Sequence, residues 1–196
     1  MFSDALPKAV AYAELLATDG IVRGLIGPRE VPRLWDRHLL NCAVVTDAVA
    51  SGSSVADIGS GAGLPGLVMA IRRPDLQVTL IEPLLRRTTF LEEVVGELSL
   101  KNVRVRRGRA EDLHGVARFD VVTSRAVAPL DRLSRWSLPL VRSGGSFLAM
   151  KGSSAETELA VAAKVISREG GRLVGIRELG SEFLETPVRV VEISKN

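Results

Sequence analysis

The stretch that decides the fold of this chain reads Val55-Ala56-Asp57-Ile58-Gly59-Ser60-Gly61-Ala62-Gly63-Leu64-Pro65-Gly66-Leu67. A short apolar run containing Asp57 is followed by four glycines within eight positions, and a helical pattern opens near Pro65, a residue tolerated in a first helical turn. Glycines let the backbone approach a ligand closely and adopt angles that a Cβ would forbid. The pattern predicts a strand, a turn and a helix that hold a nucleotide-like cofactor at the carboxyl end of the strand.

The position of Asp57 helps to distinguish a dinucleotide from other nucleotide-like cofactors. Gly61 to Gly66 matches the dinucleotide fingerprint G-x-G-x-x-G, but that register would place Asp57 inside a strand covered on both faces, where an unpaired carboxylate is costly. If the turn begins at Gly59, Asp57 stands at the strand's end beside the loop and disfavours a pyrophosphate. S-adenosylmethionine, with an adenosine, a sulfonium and an ammonium but no phosphate, fits this site, with Asp57, Gly59 and Gly61 as cofactor residues. A nicotinamide or flavin cofactor and a glycine turn without a cofactor remain alternatives.

Composition places the chain among ordinary globular proteins. Its 196 residues suffice for one domain with a full core, and 46% are hydrophobic and 25% charged. The single cysteine, Cys42, excludes an internal disulfide and fits a reducing compartment. No apolar run approaches the ~18 residues that span a bilayer, and Met1 to Asp4 lack the basic start of a secretory signal. We expect a cytoplasmic protein without a membrane segment.

Strand and helix patterns alternate along most of the chain. Helices are predicted at 4–18, 30–50, 65–72, 84–99 and 130–141 and from Ser153 to Gly170, and strands at 54–58, 77–82, 102–106, 119–124, 145–150, 172–178 and 187–193. This alternation predicts an α/β fold with a mostly parallel seven-stranded sheet, and the last two strands, with no helix between them, should pair antiparallel. That is the class I S-adenosylmethionine-dependent methyltransferase fold. Residues 51–196 would form this domain, and residues 1–50 a helical extension that caps the substrate mouth.

Acidic groups at the ends of the second and third strands are candidates for the adenosine part of the ligand. Glu82 ends the second strand, where its carboxylate can accept both ribose hydroxyls; otherwise it is a solvent-facing acid before Pro83. Ala110 and Glu111 follow the third strand, where a backbone N–H and a carboxylate can read the adenine edge. The acids there could equally serve only the dipole of a helix N-terminus.

Two cations end the fourth and fifth strands. Arg125, in Ser124-Arg125-Ala126, would lie in mid-cleft and bind the cofactor's carboxylate or a substrate phosphate. Lys151 would reach the same rim, although surface lysines are common. We treat Arg125 and Lys151 as the catalytic candidates.

The absence of certain motifs limits which kind of atom can accept the methyl group. The Asn/Asp-Pro-Pro-aromatic turn usual in exocyclic amine methylation is replaced by Ser-Arg-Ala-Val, and Cys42 lies outside the expected cleft, where it reads as a buried apolar residue. His38 and His114 lack companions at metal-ligand spacing, so no metal is expected. Transfer to a ring nitrogen with a free lone pair, such as guanine N7, needs no general base and depends on positioning.

A basic cluster accompanies the third strand. It comprises Lys101, Arg104, Arg106, Arg107 and Arg109, with Arg86 and Arg87 before it, while the net charge is only +3. Such a cluster can contact RNA phosphates. It can equally be the solvated face of a protected edge strand.

With these residues in hand, the chain resembles the RsmG (GidB) family, bacterial methyltransferases of guanine N7 in small-subunit (16S) ribosomal RNA. The likeness rests on Trp35 to Asn41, the loop from Asp57 to Gly66, Arg109 to Asp112, Ser124 to Ala126 and Ala149 to Gly152. The resemblance implies cofactor contacts at Gly59, Leu64, Ala110, Glu111 and Arg125, with Glu82 at the ribose. It also implies an RNA-facing surface with Arg125, Lys151 and His38.

The resemblance makes the leading hypothesis a monomeric rRNA (guanine-N7)-methyltransferase that binds 16S rRNA or the small ribosomal subunit. An O-methyltransferase acting on ribose or on a small molecule, a non-catalytic RNA-binding module and a nicotinamide oxidoreductase are the competing hypotheses.

Overall fold

The computed structural model describes all residues from 1 to 196, and its centre is one seven-stranded sheet. The strands are β1 (Ser54–Ile58), β2 (Gln77–Glu82), β3 (Val103–Arg107), β4 (Phe119–Arg125), β5 (Val141–Lys151), β6 (Gly171–Leu179) and β7 (Val188–Lys195). Their order is β3-β2-β1-β4-β5-β7-β6. The strands β1 to β5 are parallel, and β7 runs antiparallel to both of its neighbours. The predicted fold class is confirmed.

Three helices precede the sheet in the N-terminal extension, and four others connect strands. They are α1 (Leu6–Ala17), α2 (Asp19–Val22), α3 (Leu40–Val45), α4 (Gly66–Arg72), α5 (Leu85–Glu97), α6 (Leu130–Ser137) and α7 (Ala155–Arg168). The continuous helix predicted over 30–50 is wrong. A 3₁₀ segment (Pro28–Arg33), a π-helical segment (Leu34–Leu39), α3 and a last 3₁₀ turn (Thr46–Ala48) take its place. Pro32 has no N–H to donate, which disfavours a regular helix through this region.

Alternate residues of the strands pack into two cores on opposite faces of the sheet. One contains Val55, Leu80 and Leu148 and receives α4 and α5; the other contains Ala56, Ile81 and Phe147 and receives α6 and α7. Period-two alternation in the strands produces this division.

The N-terminal extension shares the first of these cores. Tyr12, Leu16 and Leu39 are fully buried there together with Leu67 of α4. The first 50 residues therefore pack on the sheet as part of one unit.

The strand order reverses between β1 and β4, which lie side by side. In such sheets ligands bind outside the carboxyl ends of the strands at this switch point. The loops after β1, β2, β4 and β5 all lie at that edge. None of the helices is both long enough and apolar enough to cross a membrane.

Candidate active site

The glycine loop after β1 is built from backbone contacts. The N–H groups of Gly59 and Ser60 donate to the Ile81 carbonyl at 2.8 and 3.3 Å, which ties the loop to the end of β2. Gly59 has φ of 68°, and a Cβ there would lie 2.8 Å from the Val127 side chain. Within the loop only Gly59, Gly61 and Leu64 are not fully buried. These are the three loop positions that the sequence assigned to the cofactor.

The structure corrects the expected position of Asp57. Asp57 lies within β1, not at its end, and its side chain is fully buried. Its Oδ2 accepts the Gly66 N–H at 2.9 Å, while Oδ1 has no partner. Burial raises the pKa of this carboxyl to about 7, although the Gly66 hydrogen bond acts in the opposite direction. Asp57 thus holds the first turn of α4. The turn begins at Gly59, as predicted, but the carboxyl is buried beneath the loop and is not open to it.

Glu82 closes the glycine loop from the end of β2. Its Oε2 accepts the Gly61 N–H at 3.0 Å and its Oε1 accepts the Leu84 N–H at 3.1 Å. Arg87 stands 3.4 Å from Oε2, and the side chain of Glu82 is only 1% exposed. The structure therefore places Glu82 at the predicted point beside the loop, but with its carboxylate covered and not open to a ribose.

Ala110 and Glu111 begin a short 3₁₀ turn, Ala110–Leu113, after β3. Asp112 Oδ2 accepts the Arg109 N–H at 2.8 Å and so caps this turn. Ala110 is buried and Glu111 is exposed. Because the Gly108 N–H donates to the Glu82 carbonyl at 3.2 Å, the turn starts beside the end of β2.

Arg125 is held by the N-terminal extension. Its Nη2 donates to the Arg37 carbonyl at 3.0 Å and to His38 Nδ1 at 2.9 Å, and His38 Nε2 lies 2.8 Å from Glu30 Oε2. Since a guanidinium only donates, Nδ1 must accept, and the neutral His38 ring carries its proton on Nε2 toward Glu30. Burial, and the charge of Arg125, lower the pKa of His38 below its usual value. Arg125 itself forms no ion pair and is partly exposed.

Cys42 packs beside Arg125, nearer the cleft than the sequence indicated. Its Sγ lies 3.5 Å from Arg125 Nη1 and its side chain is fully buried. Burial raises the pKa of the thiol to about 11, which keeps it protonated at neutral pH. Cys42 is therefore not a nucleophile.

Lys151 does not present its amine to the cleft. The Nζ donates to Glu158 Oε2 and to the Ala128 carbonyl, both at 2.7 Å, and the side chain is 6% exposed. Glu158 also accepts the Leu130 N–H at 2.8 Å. Lys151 and Glu158 together fix the loop between β4 and α6. Lys151 does line the cleft, as predicted, but its amine is paired and covered.

Tyr12 is a site residue that the sequence analysis missed. Its hydroxyl, fully buried, donates to the Ala62 carbonyl at 2.8 Å, which joins α1 to the glycine loop. A Cβ on Gly63 would lie 3.0 Å from that oxygen. No local pattern marks this tyrosine, because its partner lies 50 positions away.

A wide cleft of about 920 Å³ opens beside Arg125. Its walls come from the extension, the ends of β4 and β5 and the connection between β6 and β7, with Arg33, Arg37, Met150, Phe183 and Arg189 among the lining residues. Arg33 and Arg37 are exposed and form no ion pair. The cleft therefore carries three cations, Arg125 included, that form no direct ion pair, and they share its lining with the acidic residues Asp36 and Glu185.

The basic cluster lies on the edge strand β3. Val103 and Val105 face the core, while Arg104 and Arg106 point to the opposite face and are exposed. Of the whole cluster only Arg87 forms an ion pair, with Glu82. No group of three His, Cys, Asp or Glu side chains is arranged to hold a metal ion.

Comparison with known proteins decides the family. The model of the GidB family, described as rRNA small subunit methyltransferase G, matches residues 5–185. The chain belongs to this family. A small subunit methyltransferase G from Thermobifida fusca is 56% identical over 194 residues, which cover 99% of this chain and 82% of that protein. One from Corynebacterium glutamicum strain R is 57% identical over 198 residues, covering 100% and 89%. The predicted resemblance and enzyme class, an rRNA methyltransferase of the small subunit, are confirmed.

Solved structures share the fold at low identity. Aeropyrum pernix fibrillarin, solved with bound S-adenosyl-L-methionine, superposes with a TM-score of 0.58 at 17% identity, covering 80% of this chain and 74% of that chain. A ribosomal protein L11 methylase from Lactobacillus delbrueckii subsp. bulgaricus gives a TM-score of 0.59 at 15% identity, covering 79% and 77%. These likenesses support the methyltransferase fold of the family.

Proposed function

We propose that this protein transfers a methyl group from S-adenosylmethionine to N7 of a guanine in 16S rRNA, in the cytoplasm. The observation that carries the proposal is that the glycine loop and the Arg125 cleft lie next to each other at one edge of the sheet. The accessible backbone of Gly59, Gly61 and Leu64 opens at the edge where Arg125 stands as an un-neutralised cation. One site suits a donor and the other an anionic acceptor.

The loop fits the methyl donor because a side chain is excluded where the ligand must approach. Gly59 combines a positive φ with contact to Val127, so only glycine leaves its backbone accessible. When bound, S-adenosylmethionine supplies an electrophilic methyl group on a sulfonium. The N–H groups of Gly59, Gly61 and Leu64 already donate within the protein, so these residues would hold it through their carbonyl oxygens, which suit its ammonium group.

The adenosine part falls to residues at the ends of β2 and β3. Glu82 has acceptor positions beyond those used by Gly61 and Leu84, because two carboxylate oxygens offer about four. Displacing Arg87, the most distant of its donors at 3.4 Å, would open the carboxylate to ribose hydroxyls. Ala110 and Glu111, next along the same edge, would contact the adenine.

Arg125 acts on the acceptor side. Its guanidinium, fixed by Arg37 and His38, presents charge to the cleft without losing side-chain freedom on binding. It would bind an RNA phosphate and so hold the guanine in line with the methyl group. Because N7 carries a free lone pair, the site needs no base, in agreement with a protonated Cys42 and a His38 whose Nδ1 is occupied.

In this proposal residues 1–50 form an extension that supplies His38 and one wall of the cleft, and residues 51–196 form the methyltransferase domain. One chain provides every group named above, so a monomer suffices. No metal is required for the reaction.

The proposal is tested by incubating small subunits that lack the modification with the protein and methyl-deuterated S-adenosylmethionine. Nucleosides are then analysed by mass spectrometry. We expect deuterated 7-methylguanosine. A deuterated ribose-methylated nucleoside would instead establish the O-methyltransferase alternative, and label on any other nucleoside would also overturn the N7 assignment.

The basic cluster on β3 would add electrostatic affinity for the RNA. Arg104 and Arg106 are exposed and unpaired on a strand edge, which suits phosphates. Replacing both by alanine should reduce the slope of log K against log salt by about 1.4, taking ~0.7 per phosphate contact of single-stranded RNA. A double variant at Arg168 and Arg172, remote from the cluster in sequence, controls for net charge. An unchanged slope would leave edge protection as the only role of the cluster.

A further inference from the structure

The connection between β6 and β7 displays an aromatic ring that nothing in the protein covers. Phe183 is 69% exposed and is the only aromatic side chain among the exposed large hydrophobic residues. Phenylalanine rings usually bury their surface in cores or interfaces. An exposed ring in a site therefore indicates a contact made with something outside the chain.

The loop is built so that its backbone is fixed while the ring stays free. The N–H groups of Phe183 and Leu184 both donate to the Gly180 carbonyl, at 3.0 and 2.8 Å. Leu184 packs against the core, and a Cβ on Gly180, where φ is 80°, would lie 2.8 Å from both Leu184 and Val44. The loop is thus anchored through Leu184 to α3, and the neighbouring Phe183 is presented to the outside.

Phe183 lines the same cleft as Arg125. Across that cleft stand Arg33 and Arg37 of the extension, both exposed cations without an acidic partner. Cations and a bare aromatic ring in one groove are what an unpaired stretch of RNA needs, since its phosphates bind the charges and its bases stack on the ring. The lining also holds two acids, Asp36 and Glu185, but its arginines and lysine outnumber them, so the groove as a whole favours an anionic partner such as RNA.

We propose that Phe183 is a base-stacking residue that holds an unpaired base of the ribosomal RNA in the Arg125 cleft. The proposal rests on the proposed function in that it takes RNA as the occupant. It adds the hairpin loop between β6 and β7 to the recognition surface. Phe183 touches no donor-binding group, so its contribution lies in RNA affinity alone.

The experiment measures the equilibrium Kd of the protein for unmodified small subunits and for protein-free 16S rRNA, in the absence of methyl donor. Phe183→Ala and Phe183→Leu should weaken both by about 5- to 150-fold, the range for the loss of one stacked base. Phe183→Trp and Phe183→Tyr should restore binding, because stacking needs an aromatic face. Val174→Ala, which removes an exposed apolar side chain from the same hairpin outside the cleft, is the matched control and should change neither Kd.

Three results would overturn the proposal. The first is an unchanged Kd in Phe183→Ala, and the second is a wild-type Kd in Phe183→Leu. The third is a weaker Kd for subunits with an unchanged Kd for protein-free RNA, which would mean that the ring contacts a ribosomal protein. Equal melting temperatures of all variants exclude a folding defect. The Kd is measured without donor, so it does not depend on methyl transfer. If the wild type failed to transfer methyl in the deuterium-label assay, that result would contradict the proposed function and not the role of Phe183 in RNA binding.

Discussion

The glycine loop and the Arg125 cleft lie at the same edge of the sheet, but they are held by different kinds of contact. The loop depends on backbone groups of neighbouring strands, such as Gly59 and Ser60 on the Ile81 carbonyl. The cleft depends on side chains that meet from distant parts of the chain, with Arg125 reaching Arg37 and His38 more than 80 positions away. The donor side thus rests mainly on the backbone of adjacent strands, with Tyr12 as a distant support, whereas the acceptor side rests on side chains brought together from the extension and β4.

The largest effect is expected from Gly59→Asp on the donor side. A Cβ at this position meets Val127 at 2.8 Å, and φ of 68° is unfavourable for any L side chain. The donor affinity measured by calorimetry should fall below detection, because the new side chain meets Val127 and displaces the loop backbone that the donor must approach. Gly24→Asp is the control, because Gly24 has a similar φ of 65° with open space around it.

Arg125→Ala should have the next largest effect, on the acceptor side. The change removes a cation from the cleft and leaves His38 Nδ1 without its donor. We expect kcat/KM for small subunits to fall about 30-fold or more, the range for truncating one member of a fixed charged contact. Arg177→Ala removes a surface arginine paired with Glu192 and should have no effect on kcat/KM. Wild-type kcat/KM in Arg125→Ala would refute the assigned role.

The contact between Arg125 and His38 predicts a pH dependence. Because the pKa of His38 lies below its usual 6.5, the ring is neutral at pH 7 and becomes protonated only as the pH falls further. A protonated ring cannot accept from Arg125 and repels it, so KM for subunits should rise progressively as the pH falls below 6.5. His38→Gln keeps one acceptor and one donor without titrating. Its KM should change less than that of the wild type, and parallel profiles would contradict this contact.

Asp57→Asn should give the smallest effect, on stability. The folded-state pKa of about 7 exceeds the ordinary 3.8, so the folded protein binds more protons between these values. Wild-type stability should therefore fall as the pH rises from about 4 to 7 and change little above it. An asparagine keeps an acceptor for Gly66 without a charge. The melting temperature of Asp57→Asn relative to the wild type should therefore increase as the pH rises from about 4 to 7. A constant difference would contradict burial of an ionisable Asp57.

The contrast between the two sides also explains what the sequence could predict. All seven strands were placed within a few residues, because period-two alternation is a local signal. Glycine spacing marked Gly59 and Gly61, and the family resemblance added Leu64; these three are the accessible residues of the loop. Burial of Asp57 was not foreseen, since its Gly66 partner is a backbone N–H that no pattern marks.

The failures concern partners that only the fold brings together. Lys151 lines the cleft as predicted, but its covered amine was not foreseen, because nothing in the sequence links it to Ala128 and Glu158. Tyr12 was missed for the same reason. Phe183, by contrast, had a signal: it is a lone aromatic between Gly180 and Pro187 in a polar segment.

The central claim is that the glycine loop binds the methyl donor while the cleft binds RNA, and one calorimetric comparison tests it most directly. S-adenosylmethionine is titrated into the wild type, Gly59→Asp and Phe183→Ala under the same conditions. The account predicts one bound donor per chain in the wild type, the same Kd in Phe183→Ala, and no measurable binding in Gly59→Asp. Equal affinities in the wild type and Gly59→Asp, with Phe183→Ala weakened instead, would contradict the division and place the donor in the cleft.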